Sequence, residues 1–281
     1  MVVILKKKLK KKIVLTGGSG LLGSYFHQKY KTKYSIKKYP YKVEDFKKFN
    51  TWLSKNKFNY FIHFAAITKG ESINLQKKLN LINTKSSINL LESIKKKKNK
   101  DFRYFLFIST SHVYGNYRYK IKETKKRNPQ SLYGLSKKRV EDFIIQNRKK
   151  FNFKIGIARV FNSTGPNQKK GNFVPDMVNK IKKQKIINNV NQYRDFIHID
   201  DVSRSINQMI NKEIEEPINV SSGKKINLIK VCKILNDIYF KKKLSFGKKR
   251  GKDLFGDNSL LKKIGIKKFK DIYQTISIYK K

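Results

Sequence analysis

Short apolar runs alternate along this chain with longer stretches whose hydrophobic positions recur every three to four residues. Ile13-Val-Leu-Thr16 is a β-branched run that breaks into glycine, and an amphipathic stretch from about Leu21 to Tyr30 follows it. Lys33–Tyr39 alternates enough to form a second strand, and Glu44–Lys55 puts Phe46, Phe49 and Leu53 on one face at helical spacing. Tyr60-Phe-Ile-His-Phe-Ala-Ala66 is apolar almost throughout, the pattern of a strand covered on both faces. Leu79–Ile94 then reads as helix, Phe102–Ser109 as strand, Ser136–Arg148 as helix and Ile155–Arg159 as strand. Such alternation implies right-handed crossovers, so the fold class is α/β with a doubly wound parallel sheet.

Beyond Pro166 the alternation loosens. Asn172–Lys183 has helical spacing, Phe196–Ile199 is a short strand before Asp200 and Asp201, and Asn227 is placed to cap a helix running to Phe240. This division predicts a sheet domain over 1–165, to which about 190–212 return, and a smaller lobe over 166–281.

Glycines at 17, 20 and 23 punctuate the junction between the first strand and the first helix. Gly17 allows a tight turn, Gly20 lets backbone approach a pyrophosphate, and Gly23 lets the helix pack closely on the strand. The free N–H groups of Leu21, Leu22 and Gly23 are then aimed at an anion. Downstream, Tyr133 and Lys137 in Tyr-Gly-Leu-Ser-Lys are four apart and share a helix face. A phenol with a pKa of about 10 is a poor base at neutral pH. A nearby ammonium stabilises the phenolate and brings it toward the working range. Thr110 lies 23 residues before Tyr133, at the end of a strand in Ile-Ser-Thr-Ser-His-Val-Tyr-Gly.

Taken together, these segments resemble the extended short-chain dehydrogenase/reductases, the nucleotide-sugar epimerases, dehydratases and keto-reductases. The resemblance covers most of the chain and is strongest at 13–24, 104–142 and 155–203. It implies a Rossmann fold whose C-terminal lobe grips a nucleoside-diphosphate sugar. Tyr133 would transfer the proton, Lys137 would tune it and hold the cofactor ribose, and Thr110 would hold the sugar oxygen. It also implies cofactor contacts at Gly17, Gly20, Leu21, Leu22, Gly23, Phe64, Ala65, Ala66 and Asn83, and substrate contacts at Ser111, His112, Asn162, Asn172 and Arg194. Arg194 would pair with a phosphate, while His198 and Asp201 are assigned structural roles, a core hydrogen bond and a cap respectively. The family often dimerises through helices equivalent to 79–94 and 133–148.

The departures narrow the chemistry. Sugar-nucleotide 4,6-dehydratases of the family carry an acidic residue at the position of His112, often with another at Ser111, because elimination of water needs a second acid or base. Neither is acidic here. Thr164 stands where tyrosine is usual, and Asn172 replaces the histidine of the keto-sugar epimerase-reductases. NAD-preferring members place an acidic residue after the second strand to accept the ribose hydroxyls. None occurs between Gly17 and Glu44, and about 20 residues beyond Gly17 lie Lys37 and Lys38. The cofactor expected is therefore NAD(P), with NADP favoured, and the activity a 4-keto-sugar reductase. The alternative is a 4-epimerase that retains its cofactor, and a more distant one a non-catalytic dinucleotide-binding protein.

Composition qualifies this picture only at the surface. The net charge is +48, yet 58 of the 67 basic residues are Lys and they are spread from end to end. No Arg-rich recognition element appears, so loose, salt-sensitive binding to polyanions is expected, with no specific nucleic-acid partner. No apolar run approaches the roughly 18 residues that span a bilayer, and Met1–Leu5 is too short for a signal-peptide core, which predicts a cytoplasmic protein. The lysine runs at 6–12 and 95–100 read as solvated edges. The single cysteine, Cys232, lies among apolar neighbours and reads as a core residue. No cluster of Cys, His, Asp or Glu has metal-ligand spacing, so no metal is expected.

Overall fold

The computed structural model describes residues 10–68, 73–97, 99–166, 168, 171–183 and 186–277. Residues 6–9 and 98 of the lysine runs, and Met1–Leu5, lie outside them. The strands of the main sheet are β1 (Lys12–Thr16), β2 (Ser35–Lys38), β3 (Tyr60–His63), β4 (Tyr104–Thr110), β5 (Lys154–Val160) and β10 (Pro217–Val220). They lie in the order β10-β5-β4-β3-β1-β2, and every neighbouring pair is parallel. The order reverses at β1, where β2 goes to one side and β3 to the other. A doubly wound sheet binds ligands in the crevice at such a reversal.

The period of two in β1 builds both faces. Ile13 and Leu15 point into a core with Phe26 of α1 (Leu21–Tyr30) and Val202, Ile206 and Met209 of α7 (Ile199–Lys212). Val14 points the other way, into a core with Phe49 and Trp52 of α2 (Phe46–Lys55), Leu90 and Leu91 of α4 (Ser86–Lys96), and Val140 and Ile144 of α5 (Leu132–Asn147). In the centre of the sheet β3 and β4 are buried at every position, and Phe61 stacks on Phe105 with ring centroids 5.3 Å apart.

Two helices differ from the pattern. The helix expected over Leu79–Ile94 is α3 (Ile73–Leu79) continuing through a π turn over Asn80–Lys85 into α4. Periodicity does not show this, because one extra residue in a turn leaves the flanking apolar spacing helical. The helix expected from Ser136 begins at Leu132, capped by Ser131, whose hydroxyl accepts from Gly134 N at 3.1 Å. Tyr133 therefore sits on the first turn of α5.

The C-terminal half returns to the sheet for longer than 190–212. Besides α7, it supplies edge strand β10, and Leu261, Ile264 and Ile266 pack into the same core as α1. The smaller lobe has its own core, where Val174, Met177 and Ile181 of α6 (Phe173–Lys183) meet Val231, Cys232 and Leu235 of α8 (Leu228–Tyr239). Cys232 is buried, and Asn227 caps α8 by accepting from Ile229 N at 2.8 Å. Short strands β6 (Asn162–Thr164), β7 (Ile186–Ile187), β8 (Tyr193–Arg194), β9 (Phe196–His198), β11 (Ile226–Asn227) and β12 (Ser245–Phe246) stitch this lobe together, with helices α9 (Ser259–Lys263) and α10 (Ile272–Ile276) closing the chain. The assignments of His198 and Asp201 exchange: His198 caps α7 through Nδ1, which accepts from Asp200 N at 3.0 Å, while buried Asp201 accepts from Lys270 N at 2.9 Å and from Arg204. An imidazole with an unprotonated Nδ1 caps a helix as an aspartate would. Among the described residues no helix is long and apolar enough to cross a membrane, and no group of three or more His, Cys, Asp or Glu could hold a metal ion.

Candidate active site

A cavity of about 540 Å³ opens between the carboxyl ends of β1, β4 and β5 and the smaller lobe. One wall is the turn from β1 into α1. Gly17 adopts φ +66°, and a Cβ there would lie 2.6 Å from Ala65 N, so the turn needs glycine both for its conformation and for its approach to the Phe64–Ala66 segment. A Cβ on Gly23 would stand 2.4 Å from Gly17 O. On Gly20 a Cβ would meet only Gly17 O, at 3.3 Å, and otherwise project into open space. Gly20 is the N-cap of α1 and caps it with no side chain, and the first turn holds no acidic residue. The helix thus presents its first N–H groups, with the positive end of its dipole, to the cavity, and an anionic pyrophosphate fits that cradle.

The opposite wall carries Thr110, Tyr133 and Lys137. Thr110 ends β4, and its hydroxyl oxygen accepts from His112 N at 3.3 Å. It also hydrogen-bonds Tyr133. Burial pushes the Tyr133 phenol up to about 12, and the Thr110 bond draws it down. Lys137 is 1% exposed, lies with Nζ 4.5 Å above the Phe107 ring, and donates to Ile108 O at 2.8 Å. Desolvation brings its pKa down to about 7, with Glu141 one turn further pulling upward. The expected lowering of the phenol by Lys137 is not among the shifts here, where burial raises Tyr133 and Thr110 lowers it; the Lys137 ammonium uses one of its three donors on Ile108 O.

The structure brings Gly17, Gly20, Leu21, Leu22, Gly23, Phe64, Ala66, Thr110, Ser111, His112, Tyr133, Lys137, Asn162 and Asn172 to one cavity. Ser111 is 1% exposed, and its Oγ has no hydrogen-bond partner among the described residues, a polar atom poised for a ligand. His112 sits at the rim with its ring edge-on to Tyr133, centroids 6.0 Å apart. Asn162 is anchored by donating to Asp195 O at 2.9 Å.

Others stand outside the lining. Ala65 backs the Gly17 turn. Asn83, fully buried, accepts from Ile67 N at 2.9 Å and donates to Ile67 O at 2.8 Å and Ser136 Oγ at 3.1 Å, so it shapes the wall rather than lining it. Lys37 and Lys38 fall on opposite faces of β2: Lys37 donates to Asn56 Oδ1 at 2.6 Å beside the Trp52 ring, whereas the Lys38 stem lies across Gly18. Arg194 donates to the carbonyls of Tyr193 and Lys252, and the His112 imidazole is lowered first by burial and then by the Arg194 charge.

Three residues escaped the sequence reading. Arg250, with its guanidinium 5.2 Å from the Tyr193 ring and paired to Asp253 at 2.6 Å, lines a separate cavity with Asn116 and Arg118. Gln168 lines the cavity after Gly165-Pro166. Glu141 accepts from Ser109 Oγ at 2.5 Å and pairs with Arg159 at 2.7 Å, both side chains buried. Its spacing of four from Lys137 is the one signal that pointed to it.

A sequence profile described as the NAD dependent epimerase/dehydratase family matches residues 13–221, which span the sheet, the glycine turn and the Thr110–Tyr133–Lys137 wall. The chain belongs to that family. It is accordingly an NAD(P)-dependent enzyme of the oxidoreductase/epimerase class. A GDP-6-deoxy-D-talose 4-dehydrogenase of Aggregatibacter actinomycetemcomitans is 30% identical over 238 residues, 81% of this chain and 80% of that protein. The uncharacterized UDP-glucose epimerase YtcB of Bacillus subtilis is 30% identical over 139 residues, 48% of this chain and only 44% of that protein. Among solved structures, a UDP-glucose 4-epimerase with UDP-glucose from Thermotoga maritima superposes with a TM-score of 0.85 at 22% identity, covering 95% of this chain and 96% of the other. RMD from Pseudomonas aeruginosa, complexed with NADPH, gives 0.82 at 22% identity over 95% and 97%. These likenesses establish the fold.

Proposed function

We propose that the chain reduces the 4-keto group of a nucleoside-diphosphate sugar with NADPH. The observation that carries this reading is Lys38, whose stem crosses the phosphate-binding turn at Gly18 while no carboxylate stands between Gly17 and Glu44. An ammonium there attracts a ribose 2′-phosphate, where an acidic residue would repel it. A cofactor chosen by that phosphate is one drawn from an exchangeable reducing pool, which suits net reduction.

A nicotinamide cofactor held in this cavity would supply the hydride. Tyr133 gives the proton to the carbonyl oxygen as that oxygen gains charge, and its pKa of about 12 keeps it in the protonated, donating form at neutral pH. Thr110 holds the same oxygen by its hydroxyl. Lys137, which donates to Ile108 O and lines the same cavity, would hold the cofactor ribose, and Arg194 would offer its guanidinium to the diphosphate. Ser111 Oγ is available to a sugar hydroxyl. With Ser111 and His112 in place of carboxylates, elimination of water lacks its acid/base pair. Two relatives, the GDP-6-deoxy-D-talose 4-dehydrogenase and a GDP-6-deoxy-D-mannose reductase of Pseudomonas aeruginosa, bear names that describe redox chemistry on GDP sugars, which makes a GDP-linked 6-deoxyhexose the first substrate to test.

The second reading is a UDP-sugar 4-epimerase, favoured by the relatives named as epimerases. The test is NADPH consumption, followed by its fluorescence, with a panel of GDP- and UDP-linked 4-keto-6-deoxy sugars, alongside mass spectrometry of the denatured purified protein. Stoichiometric NADPH oxidation by a keto sugar is the expected result. Retained NAD and interconversion of UDP-glucose with UDP-galactose, without net oxidation, would replace reductase by epimerase.

A further inference from the structure

A side-chain chain of hydrogen bonds runs under the floor of the cavity, from the residue before Gly17 to the turn that carries Tyr133. Ala65 N donates to Thr16 Oγ1 at 3.3 Å, and Thr16 Oγ1 lies 2.7 Å from His63 Nδ1. His63 Nε2 lies 2.8 Å from Ser87 Oγ, and Ser87 Oγ donates to Asn83 O at 2.6 Å. Asn83 Nδ2 then reaches Ser136 Oγ at 3.1 Å, and Ser136 Oγ donates to Tyr133 O at 2.7 Å. Thr16, His63, Ser87, Asn83 and Ser136 are all buried, so water does not compete for any of these bonds.

Every proton in this path has one consistent place. The single Ser87 hydroxyl proton goes to Asn83 O, so Ser87 Oγ can only accept from His63, which requires the proton on Nε2. His63 Nδ1 is then bare and accepts the Thr16 hydroxyl proton, leaving Thr16 Oγ1 to accept from Ala65 N. Burial and the nearby Lys137 ammonium both disfavour a charged ring. The path is closed at both ends by backbone groups, so it transmits position rather than protons.

We propose that His63, as a neutral imidazole protonated at Nε2, is the positioning residue that fixes the phosphate-binding turn and the Tyr133 turn relative to each other. Its two ring nitrogens face different elements: Nδ1 holds Thr16, next to Gly17, and Nε2 holds Ser87, which leads through the π turn to α5. The π turn matters here because it brings Asn83 and Thr84 inward together, Thr84 Oγ1 bonding Ser136 O at 3.2 Å. Asparagine at position 83 therefore serves two neighbours at once, the 65–67 segment and the catalytic turn.

The inference rests on the cavity's assignment to a dinucleotide, and its test separates the two. Nitrogen-15 NMR of the His63 ring in the full, unsubstituted chain should show a protonated Nε2 and a bare Nδ1, unchanged from neutral pH to about pH 5. A charged ring, or a proton on Nδ1, overturns the proposal whatever the protein binds. Absence of both NADPH and NADH binding by the unsubstituted chain would defeat the cofactor assignment instead, and the ring measurement would still decide the positioning claim. With binding established, the two arms should come apart. His63→Phe, which fills the ring's volume without either bond, should weaken NADPH about tenfold by calorimetry and lower kcat about tenfold with the keto sugar accepted in the panel. His63→Gln, whose amide can still donate to Ser87, should recover kcat and leave NADPH binding weak. Should His63→Phe not fold, Thr16→Val and Ser87→Ala make the same division, the first acting on NADPH affinity and the second on kcat. Folded variants in which both quantities stay within about twofold of wild type, or fall together in every case, would show His63 to be mere packing.

Discussion

At the scale of single residues the site is a set of polar groups made unusual by burial. Tyr133, 1% exposed Lys137 and His63 all lose solvent, and each shifts toward its neutral form for that reason. Tyr133→Phe is expected to leave folding and NADPH affinity close to wild type while cutting turnover by about two to four orders of magnitude, the cost of losing a positioned acid. Near-normal turnover, measured under saturating cofactor, would remove Tyr133 from the mechanism. His63 also makes a prediction in pH. Its folded pKa lies well below the ordinary 6.5, so acidification lets the unfolded chain bind a proton that the native ring refuses. The stability advantage of wild type over His63→Gln should therefore be full above about pH 7 and shrink below about 6.5, by up to about 1.4 kcal/mol per pH unit. Urea midpoints for both proteins across that range check it, and a constant difference would mean a charged native ring.

At the scale of elements the phosphate cradle depends on the turn after β1 and on the last residues of β2. Gly17 and Gly23 are needed by the fold, since any Cβ collides with backbone, but Gly20 faces the ligand space. Gly20→Val should thus keep a melting temperature near wild type and lose cofactor binding, separating ligand exclusion from misfolding in one calorimetric titration and one thermal scan. On β2 the pleat sets Lys37 and Lys38 apart. Lys38→Glu is expected to shift preference from NADPH toward NADH by about tenfold or more. Lys37→Glu should do little, because that ammonium is turned to Asn56 and Trp52. Equal effects of the two substitutions, or a native preference for NADH, would undo the cofactor assignment and return the epimerase reading to first place.

At the scale of the whole molecule the smaller lobe is held to the sheet through Asp195. Its Oδ1 accepts from Ser222 N at 2.9 Å and Ser222 Oγ at 2.8 Å, and its Oδ2 from Gly223 N at 2.9 Å, joining the stretch after β8 to the end of β10. Burial pushes this carboxyl up to about 7, against the pull of those donors. Every partner is a donor, so an amide in its place would turn an N–H group toward another N–H. Asp195→Asn is expected to destabilise by about 1–3 kcal/mol, a fall of roughly 2–12 °C in melting temperature for a chain of this size. Asn162, which donates to Asp195 O from the cavity wall, connects this lock to the cavity. An unchanged melting temperature would mean the lobe is held elsewhere.

Much of this was present in one dimension. Local rules determined the β1 turn, because a β-branched run ending in three spaced glycines has few other uses, and the buried strands β3 and β4, whose unbroken apolar runs fit only a sheet covered on both faces. Spacing alone put Tyr133 and Lys137 on one helix face. What required the tertiary structure was every property set by distant neighbours. The pairing of His63 with Thr16 and Ser87 and the turning apart of Lys37 and Lys38 depend on contacts across tens of residues, which no local pattern encodes. The π turn at Asn80–Lys85 was invisible because it preserves the helical repeat on either side. The upward shift of the Tyr133 phenol comes from burial, a property of the packed chain, where the sequence showed only a lysine four residues away.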